Sequence, residues 1–434
     1  MKKIFLLSGL GLLCAQVSAQ ELNLKQAVSE AMGDSPIIQR SKSVVEESAW
    51  KRIEAYSGFL PTLSANGTVL ADKKYVFNNI TFGGNPAVVP LILPNSALYV
   101  NANLPLFDGF ASTNTLRAAQ AFEKASASEY EWSRFETQRS VTMQFYRAIA
   151  AKTLRDVAAQ NVKMLEDHLK DARLFLKAGV STKYDVLQVE VRVSFAKTEL
   201  MNAEDSVEIT QRQLAELMGH EVDMRPLEGA LPVLNPQSII RLDPENFSRR
   251  ADISSLEQKL QSISYRESAA SRFFVPKLGL FGQYQFYNNL NNNITDTDYY
   301  RNAYQVGVNL TWNIFDGMSS IAKSKQTVEQ TYQTQKNLRM AKIKAQKDLD
   351  IWKRKYLYYC NVYLARNEDV SKANESIRLA REAIKVGSKT NTDLLDAESE
   401  LFQAQAGVVN SQIGAIESLI NLEIASGQQL YDFI

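Results

Sequence analysis

Hydrophobic positions follow two spacings along the chain: every second residue in four short segments, and every third or fourth residue in the long segments between them. The short segments lie at about 63–72, 97–107, 277–287 and 303–315. A period of two predicts a strand with one apolar and one polar face. Each segment is about ten residues long, the length at which a tilted strand crosses a bilayer. A soluble hairpin with one buried face gives the same alternation, so the pattern leaves both interpretations open.

Helical spacing continues over two very long segments without proline, at about 108–177 and 317–385. At 1.5 Å per residue, roughly 70 helical residues extend about 105 Å. Helices of that length must pack side by side with others, because no compact domain core is as long. Shorter helices are predicted before and after them, at about 36–57, 182–218, 244–271 and 390–425.

The second half of the chain repeats the first. Asp108 and Asp316 are separated by the same number of residues as Gly179 and Gly387, and as Glu190 and Glu398. A series at one register predicts two copies of one unit, each with a helix, two strands, a very long helix and a returning helix. The expected organisation is a first repeat at 20–219 with a helical hairpin at about 108–218, a Pro-rich connector at 220–245, and a second repeat at 246–434 with a hairpin at about 317–425.

The N-terminus has the features of an export signal. A charged start at Met1-Lys2-Lys3 precedes a short apolar run and the small residues Val17-Ser18-Ala19. This order predicts a signal peptide at 1–19, cleaved after Ala19. No later apolar run reaches about 18 residues, so no transmembrane helix is predicted.

Composition argues against several functional classes. The chain has 49 Lys and Arg against 48 Asp and Glu, a net charge of +1, which gives no electrostatic reason to expect nucleic acid as a partner. His168 and His220 are too few for a multi-histidine metal site, and Cys14 and Cys360 are too few for a disulfide framework. Without a catalytic constellation or a glycine-rich phosphate motif, no catalytic, metal or cofactor site is predicted.

Three sets of residues stand out in this arrangement: the opening Leu-Asn-Leu-Lys-Gln-Ala-Val at 22–28, the Phe-Asp-Gly exits at 107–109 and 315–317, and the hairpin tips at 179–187 and 387–398. Together with the order, duplication and spacing of the elements, they resemble the TolC-like outer-membrane efflux proteins. The resemblance implies a mainly α fold with a transmembrane β-barrel. Four strands from each of three protomers would close a twelve-stranded barrel, continued by a periplasmic α-helical barrel.

The resemblance also implies a function and partners. We expect a homotrimer in the outer membrane of a Gram-negative bacterium, in contact with outer-membrane lipid and extending into the periplasm. It would conduct substrates passively for an inner-membrane pump of RND or ABC type and a periplasmic adaptor (membrane fusion) protein. Efflux of small toxic compounds is the first interpretation, and type I protein secretion is the second. A soluble periplasmic coiled-coil scaffold is a third, although it leaves the four bilayer-length strands unexplained.

Candidate site residues lie at the hairpin tips. The resemblance places a periplasmic gate at Asp185, Lys389, Asp393 and Asp396. It places the tip turns and the adaptor contact at Gly179, Thr182, Gly387, Ser388, Leu187 and Leu395. Lys389 would link neighbouring tips through Asp185 and hold the resting state closed. It stands where the family has a basic gate residue but lacks the bidentate geometry of Arg, and Ile384 stands where relatives can carry a tyrosine.

Asp393 and Asp396 are three residues apart and so share one helix face. Three copies would surround the mouth with six carboxylates, an arrangement that favours cations. The alternative is a purely structural role, because carboxylates in the first turn of a helix cap its N-terminus and complement its dipole. For Asp185 both interpretations stay open.

Overall fold

A computed structural model describes residues 21–72, 76–91, 94–233, 235–236, 250–290 and 293–433. The expected signal peptide at 1–19 and the expected start of the 244–271 helix lie outside these residues. The helices are α1 (Leu24–Asp34), α2 (Pro36–Tyr56), α3 (Ala111–Lys177), α4 (Lys183–Met218), α5 (Ala251–Ala270), α6 (Ser319–Lys385) and α7 (Asn391–Ser426). The strands are β1 (Thr62–Val69), β2 (Val76–Phe82), β3 (Asn85–Leu91), β4 (Ser96–Phe107), β5 (Lys277–Asn288) and β6 (Arg301–Thr311).

The described residues form two compact units, and each unit takes segments from both predicted repeats. One unit comprises the chain up to 42, 129–251 and 341–434, and the other comprises 43–128 and 252–340. The repeats are therefore not separate domains. In the connector, residues 220–233 form neither helix nor strand apart from a bridge between Leu227 and Leu22.

The unit of 43–128 and 252–340 contains an antiparallel sheet in the order β1-β4-β5-β6. Its register aligns the alternating residues of neighbouring strands: Val100 faces Tyr284, and Tyr284 faces Tyr304. Because side chains two apart point the same way, this register gathers the apolar positions of all four strands on one face. Polar residues gather on the other face, where Gln305 Nε2 donates to Gln283 Oε1 at 2.6 Å.

The strands of this unit differ from the predicted ones in extent, and a second hairpin is present. The second hairpin consists of β2 and β3, and its turn, Gly83-Gly84, has positive φ at both residues (+59° and +84°), as tight hairpin turns require. β1 ends at Val69, before the expected 72, and β6 ends at Thr311, before the expected 315. Beyond β6, the indole of Trp312 donates to the Phe274 carbonyl at 3.1 Å and fixes the chain outside the ladder.

The Phe-Asp-Gly repeats are the turns from strand to long helix. Asp108 Oδ2 accepts from the Ser112 backbone N–H at 2.7 Å, and Asp316 Oδ2 accepts from Ser320 at 3.0 Å. The glycine after each aspartate is left-handed, with φ of +72° at Gly109. The carboxylate therefore caps a helix of 67 residues, while the left-handed glycine forms the turn between strand and helix.

The core of the other unit lies where α1, α3, α4, α6 and α7 meet. Its largest fully buried apolar side chains include Phe145, Ile149, Leu214, Tyr356 and Ile416. The cluster also encloses an ion pair: the Arg139 guanidinium donates to Glu423 at 2.9 Å, and Glu423 accepts backbone N–H groups of Leu430 and Tyr431. The C-terminal segment is thus tied to α7. No described helix is both long enough and apolar enough for a membrane span.

Candidate functional site: the hairpin tips

The first tip joins α3 to α4 through a short turn. Gly179 has a φ of +72°, and its N–H donates to the Leu176 carbonyl at 3.1 Å. Thr182 caps α4: its hydroxyl accepts from the Asp185 N–H at 3.2 Å, while Asp185 Oδ2 accepts from the Thr182 N–H at 2.8 Å. Hydrogen bonds from Thr182, and a further one from Ser181, stabilise the carboxylate and lower the pKa of Asp185 below its ordinary value.

The second tip repeats this geometry between α6 and α7. Gly387 has a φ of +76°, and Ser388 donates its N–H to the Ala383 carbonyl at 3.0 Å. Thr390 and Asp393 form the same reciprocal cap, with the Thr390 N–H 2.8 Å from Asp393 Oδ2. The backbone and hydroxyl of Thr390, joined by the ammonium of Lys389, lower the pKa of Asp393 to about 2. Asp393 is therefore ionised at neutral pH.

The structure does not bring Lys389 and Asp185 together within one chain. Lys389 Nζ lies 3.0 Å from Asp393 Oδ1, one turn along its own hairpin, and Asp185 is occupied by Thr182 and Ser181. A link between the tips of neighbouring chains stays a prediction. Asp396 is exposed, and in the described part of the chain it has no ion-pair partner. Ile384 packs against the apolar cluster between α6 and α7.

The two leucines expected to contact an adaptor differ in exposure. Leu187 is 48% exposed on α4, so it is available to a partner. Leu395 is 4% exposed and packs with Val162, Leu165 and Val189 of the other hairpin. Its side chain faces the interior of the chain, and it is not retained as an adaptor contact. The burial follows from its place on the α7 face that meets α3 and α4.

A polar cluster behind the tips was missed by sequence reasoning. His168 of α3 is buried and contacts Glu398 and Asn391 of α7 through its two ring nitrogens. Glu398 lies 230 positions after His168 in the sequence, and Asn391 lies 223 positions after it. No local motif indicates such a contact, and the only sequence signal is that His168 interrupts an otherwise apolar helix face.

A second polar cluster contains a cationic side chain, the guanidinium of Arg225. Ligand atoms of Glu30, His220 and Asp223 lie within 4.8 Å of one another. The guanidinium of Arg225 donates to Glu30 at 2.6 Å and also to Asp223. Arg225 thus supplies the positive charge that a metal ion would bring, and it lowers the pKa of Asp223.

Comparisons with known proteins agree with this architecture. The family model described as outer membrane efflux protein matches residues 55–220 and 245–428. The outer membrane efflux protein BepC of Brucella suis is 25% identical over 58% of this chain and 54% of its own length. The alkaline protease secretion protein AprF of Pseudomonas aeruginosa is 22% identical over 51% of this chain and 47% of its own length. The chain thus spans about half the length of these relatives.

A solved structure extends the likeness to the whole fold. The outer membrane protein VceC of Vibrio cholerae superimposes with a TM-score of 0.77 at 15% identity, covering 94% of this chain and 97% of that protein. At this identity, the match shows a shared fold.

Proposed function

Because the chain belongs to the outer membrane efflux protein family and lies in the outer membrane, extending into the periplasm, we propose that it is one third of a trimeric export channel. Three copies close a twelve-stranded barrel through their sheets, and their helical hairpins continue it across the periplasm. Substrates cross passively, delivered by an inner-membrane pump and a periplasmic adaptor. The assigned activity is conduction of small toxic compounds, without catalysis.

The four-stranded sheet is the observation that carries this proposal. Its apolar face is exposed in the single chain, with Leu63, Val306, Val308 and Leu310 each more than half accessible. A sheet that faces water carries polar side chains on its exposed face, whereas a sheet in contact with lipid exposes an apolar face. Among the described strands of this sheet, β1 and β6 each pair on one side only. Open edges are not tolerated in lipid, so edge-to-edge pairing of copies is the arrangement that satisfies them.

The hairpin tips are the proposed gate. Their caps keep Asp185 and Asp393 ionised and fixed, and Asp396 adds an exposed carboxylate one turn further. A threefold arrangement surrounds the mouth with these charges and favours cations over anions. Lys389 compensates part of this charge through Asp393.

Type I protein secretion is the second candidate, and the similarity to AprF, a protease secretion protein, supports it. Both candidates need the same channel and differ in the pump that delivers the substrate. Deletion of the gene separates them: drug sensitivity with normal secretion supports efflux, whereas a secretion defect with normal drug resistance supports the alternative.

Conductance in planar bilayers tests the gate. We expect the double variant Asp185→Ala, Lys389→Ala to show a higher open-channel conductance than the wild type. The variant lacks both side chains of the proposed link between neighbouring tips, and this link holds the resting state closed. Lys385→Ala is the matched control, since it removes a lysine from the last turn of α6 without touching either cap. Unchanged conductance in the double variant would refute the gate assignment, and the absence of any pore would refute the channel.

A further inference from the structure

We propose that His168 is a positioning residue of the gate: its imidazole clamps the two helical hairpins of one chain together behind their tips, and its protonation state sets how readily the tips separate. The clamp consists of His168, Glu398 and Asn391. Its effect on conduction rests on the channel function proposed above, whereas the clamp itself is a property of the single chain.

The contacts are short and shielded from water. His168 Nδ1 lies 2.8 Å from Glu398 Oε2, and Nε2 lies 2.7 Å from Asn391 Oδ1. His168 is 7% exposed and Glu398 is 0% exposed. Since α3 belongs to the first hairpin and α7 to the second, one imidazole bridges both through two hydrogen bonds. Burial makes each bond more sensitive to the loss of its partner than it would be in water.

Comparison of the two hairpins shows that the clamp departs from the repeat. In the first hairpin, Arg173 pairs with Glu190 at 2.7 Å on the exposed surface. The same pair recurs in the second hairpin as Arg381 and Glu398, but there it is stretched to 3.5 Å and Glu398 is buried. Glu398 is thus closer to His168 of the other hairpin, at 2.8 Å, than to Arg381 of its own, at 3.5 Å.

The two other residues of the clamp, His168 and Asn391, also occur in one repeat only. Ser376 stands at the repeat position of His168, and Lys183 stands at the repeat position of Asn391. The bridge therefore exists in one direction only, from the first hairpin to the second. A feature that both repeats needed for folding would be expected in both.

Apolar side chains cross between the hairpins on either side of the clamp. Leu395 of α7 packs into the cluster of α3 and α4, and Met164 of α3 packs into the cluster of α6 and α7. Met164 precedes His168 by one helical turn, and Leu395 lies between Asn391 and Glu398. The clamp therefore sits within an apolar contact, where an uncompensated charge is costly.

The hydrogen-bond pattern identifies two states. With Oδ1 of Asn391 and a carboxylate as acceptors, both ring nitrogens donate, and the ring is an imidazolium. In the neutral ring, Nε2 must accept instead. Asn391 Nδ2 is buried without a partner and supplies that donor once the amide rotates. Deprotonation therefore rearranges the clamp and removes the imidazolium charge, which together with Arg381 at 3.5 Å balances Glu398.

The surroundings decide the direction of the response. Charges act on His168 from Glu398 on α7 and Arg381 on α6, whereas α4 presents the apolar Val186, Val189 and Val193 to this stretch. Burial alone lowers the pKa of His168, but the hydrogen bond and charge of Glu398 outweigh it, so the pKa lies above its ordinary 6.5. A raised pKa means that the charge-assisted form of the clamp is fully present below pH 6.5 and gives way to the weaker neutral form as the pH rises through the shifted value. The tips should separate more readily in alkali.

Bilayer recordings between pH 5.5 and 8.5 test this response. We expect the open probability of the wild-type channel to rise about tenfold across this range, as befits the loss of one buried charge-assisted contact. His168→Gln should abolish the pH dependence. His220→Gln is the matched control, because the chain has two histidines and His220 lies outside the clamp. A pH profile unchanged in His168→Gln would overturn the proposal.

A readout independent of conduction separates the clamp from the channel. In protein labelled at the imidazole nitrogens, His168 should titrate above 6.5 and Glu398→Gln should lower that value. Amide hydrogen exchange at 391–398 should be faster in His168→Gln than in the wild type at pH 6, and equal at high pH. A His168 that titrates at or below 6.5 would overturn the clamp even if the channel conducts. A normal titration without conductance would refute the channel alone.

Discussion

At the residue scale, Gly109 and Gly317 occupy equivalent turns but have different surroundings. Both are left-handed, with φ of +72° and +67°, so alanine at either site costs about 1–2 kcal/mol of backbone strain. A Cβ at Gly109 would lie 2.8 Å from Val275 Cβ, whereas a Cβ at Gly317 meets nothing within 4 Å. We therefore expect Gly109→Ala to destabilise the protein by about 1–3 kcal/mol more than Gly317→Ala.

Urea unfolding followed by circular dichroism measures this difference. Gly317→Ala is the internal control, because it carries the same conformational strain without the clash. Equal unfolding midpoints for the two variants would show that the turn before α3 relaxes away from Val275. A lower unfolding midpoint for Gly317→Ala than for Gly109→Ala would contradict this prediction and indicate a packing partner for that turn outside the chain.

At the element scale, the two faces of β6 should tolerate charge very differently. Val306 lies on the apolar face and Gln305 on the polar face, one residue apart in the same strand. Lysine facing lipid near the bilayer midplane costs about 2–4 kcal/mol, whereas lysine facing a water-filled lumen costs little. We expect Val306→Lys to be depleted from the outer-membrane fraction and Gln305→Lys to accumulate like the wild type. Equal accumulation of both would contradict the lipid-facing assignment.

Sequence periodicity predicted the elements better than their contacts. The long helices and four main strands follow from spacing, and the observed helices and the superposition on VceC confirm the mainly helical fold of TolC-like type. Spacing does not predict the hairpin of β2 and β3, because its alternation is weak and Gly83, Gly84, Pro86 and Pro90 are typical loop residues. The repeat itself gives the tip caps, since Thr182 and Thr390 stand at equivalent positions.

The clamp could not be predicted from local patterns. A histidine on a helix face is most simply a packed or solvated residue, and its partner is 230 positions away. The burial of Leu395 has the same origin, because it depends on which face of α7 meets the other hairpin. In the sequence, His168 stands out only as a polar interruption of an apolar helix face, and the matching position of the second repeat holds Ser376.

At the scale of the whole molecule, the open edges of the sheet determine what can exist in the membrane. The two edge strands of the four-stranded sheet, β1 and β6, each leave one row of backbone groups for another chain, and four strands cannot close a barrel. We expect native mass spectrometry in mild detergent to give three times the mass of the mature chain. Dissociation should abolish conductance, because a separated protomer exposes both edges to lipid at several kcal/mol per unpaired group. A stable monomer that still forms pores would contradict this assembly, since it would require the edges to be satisfied within one chain.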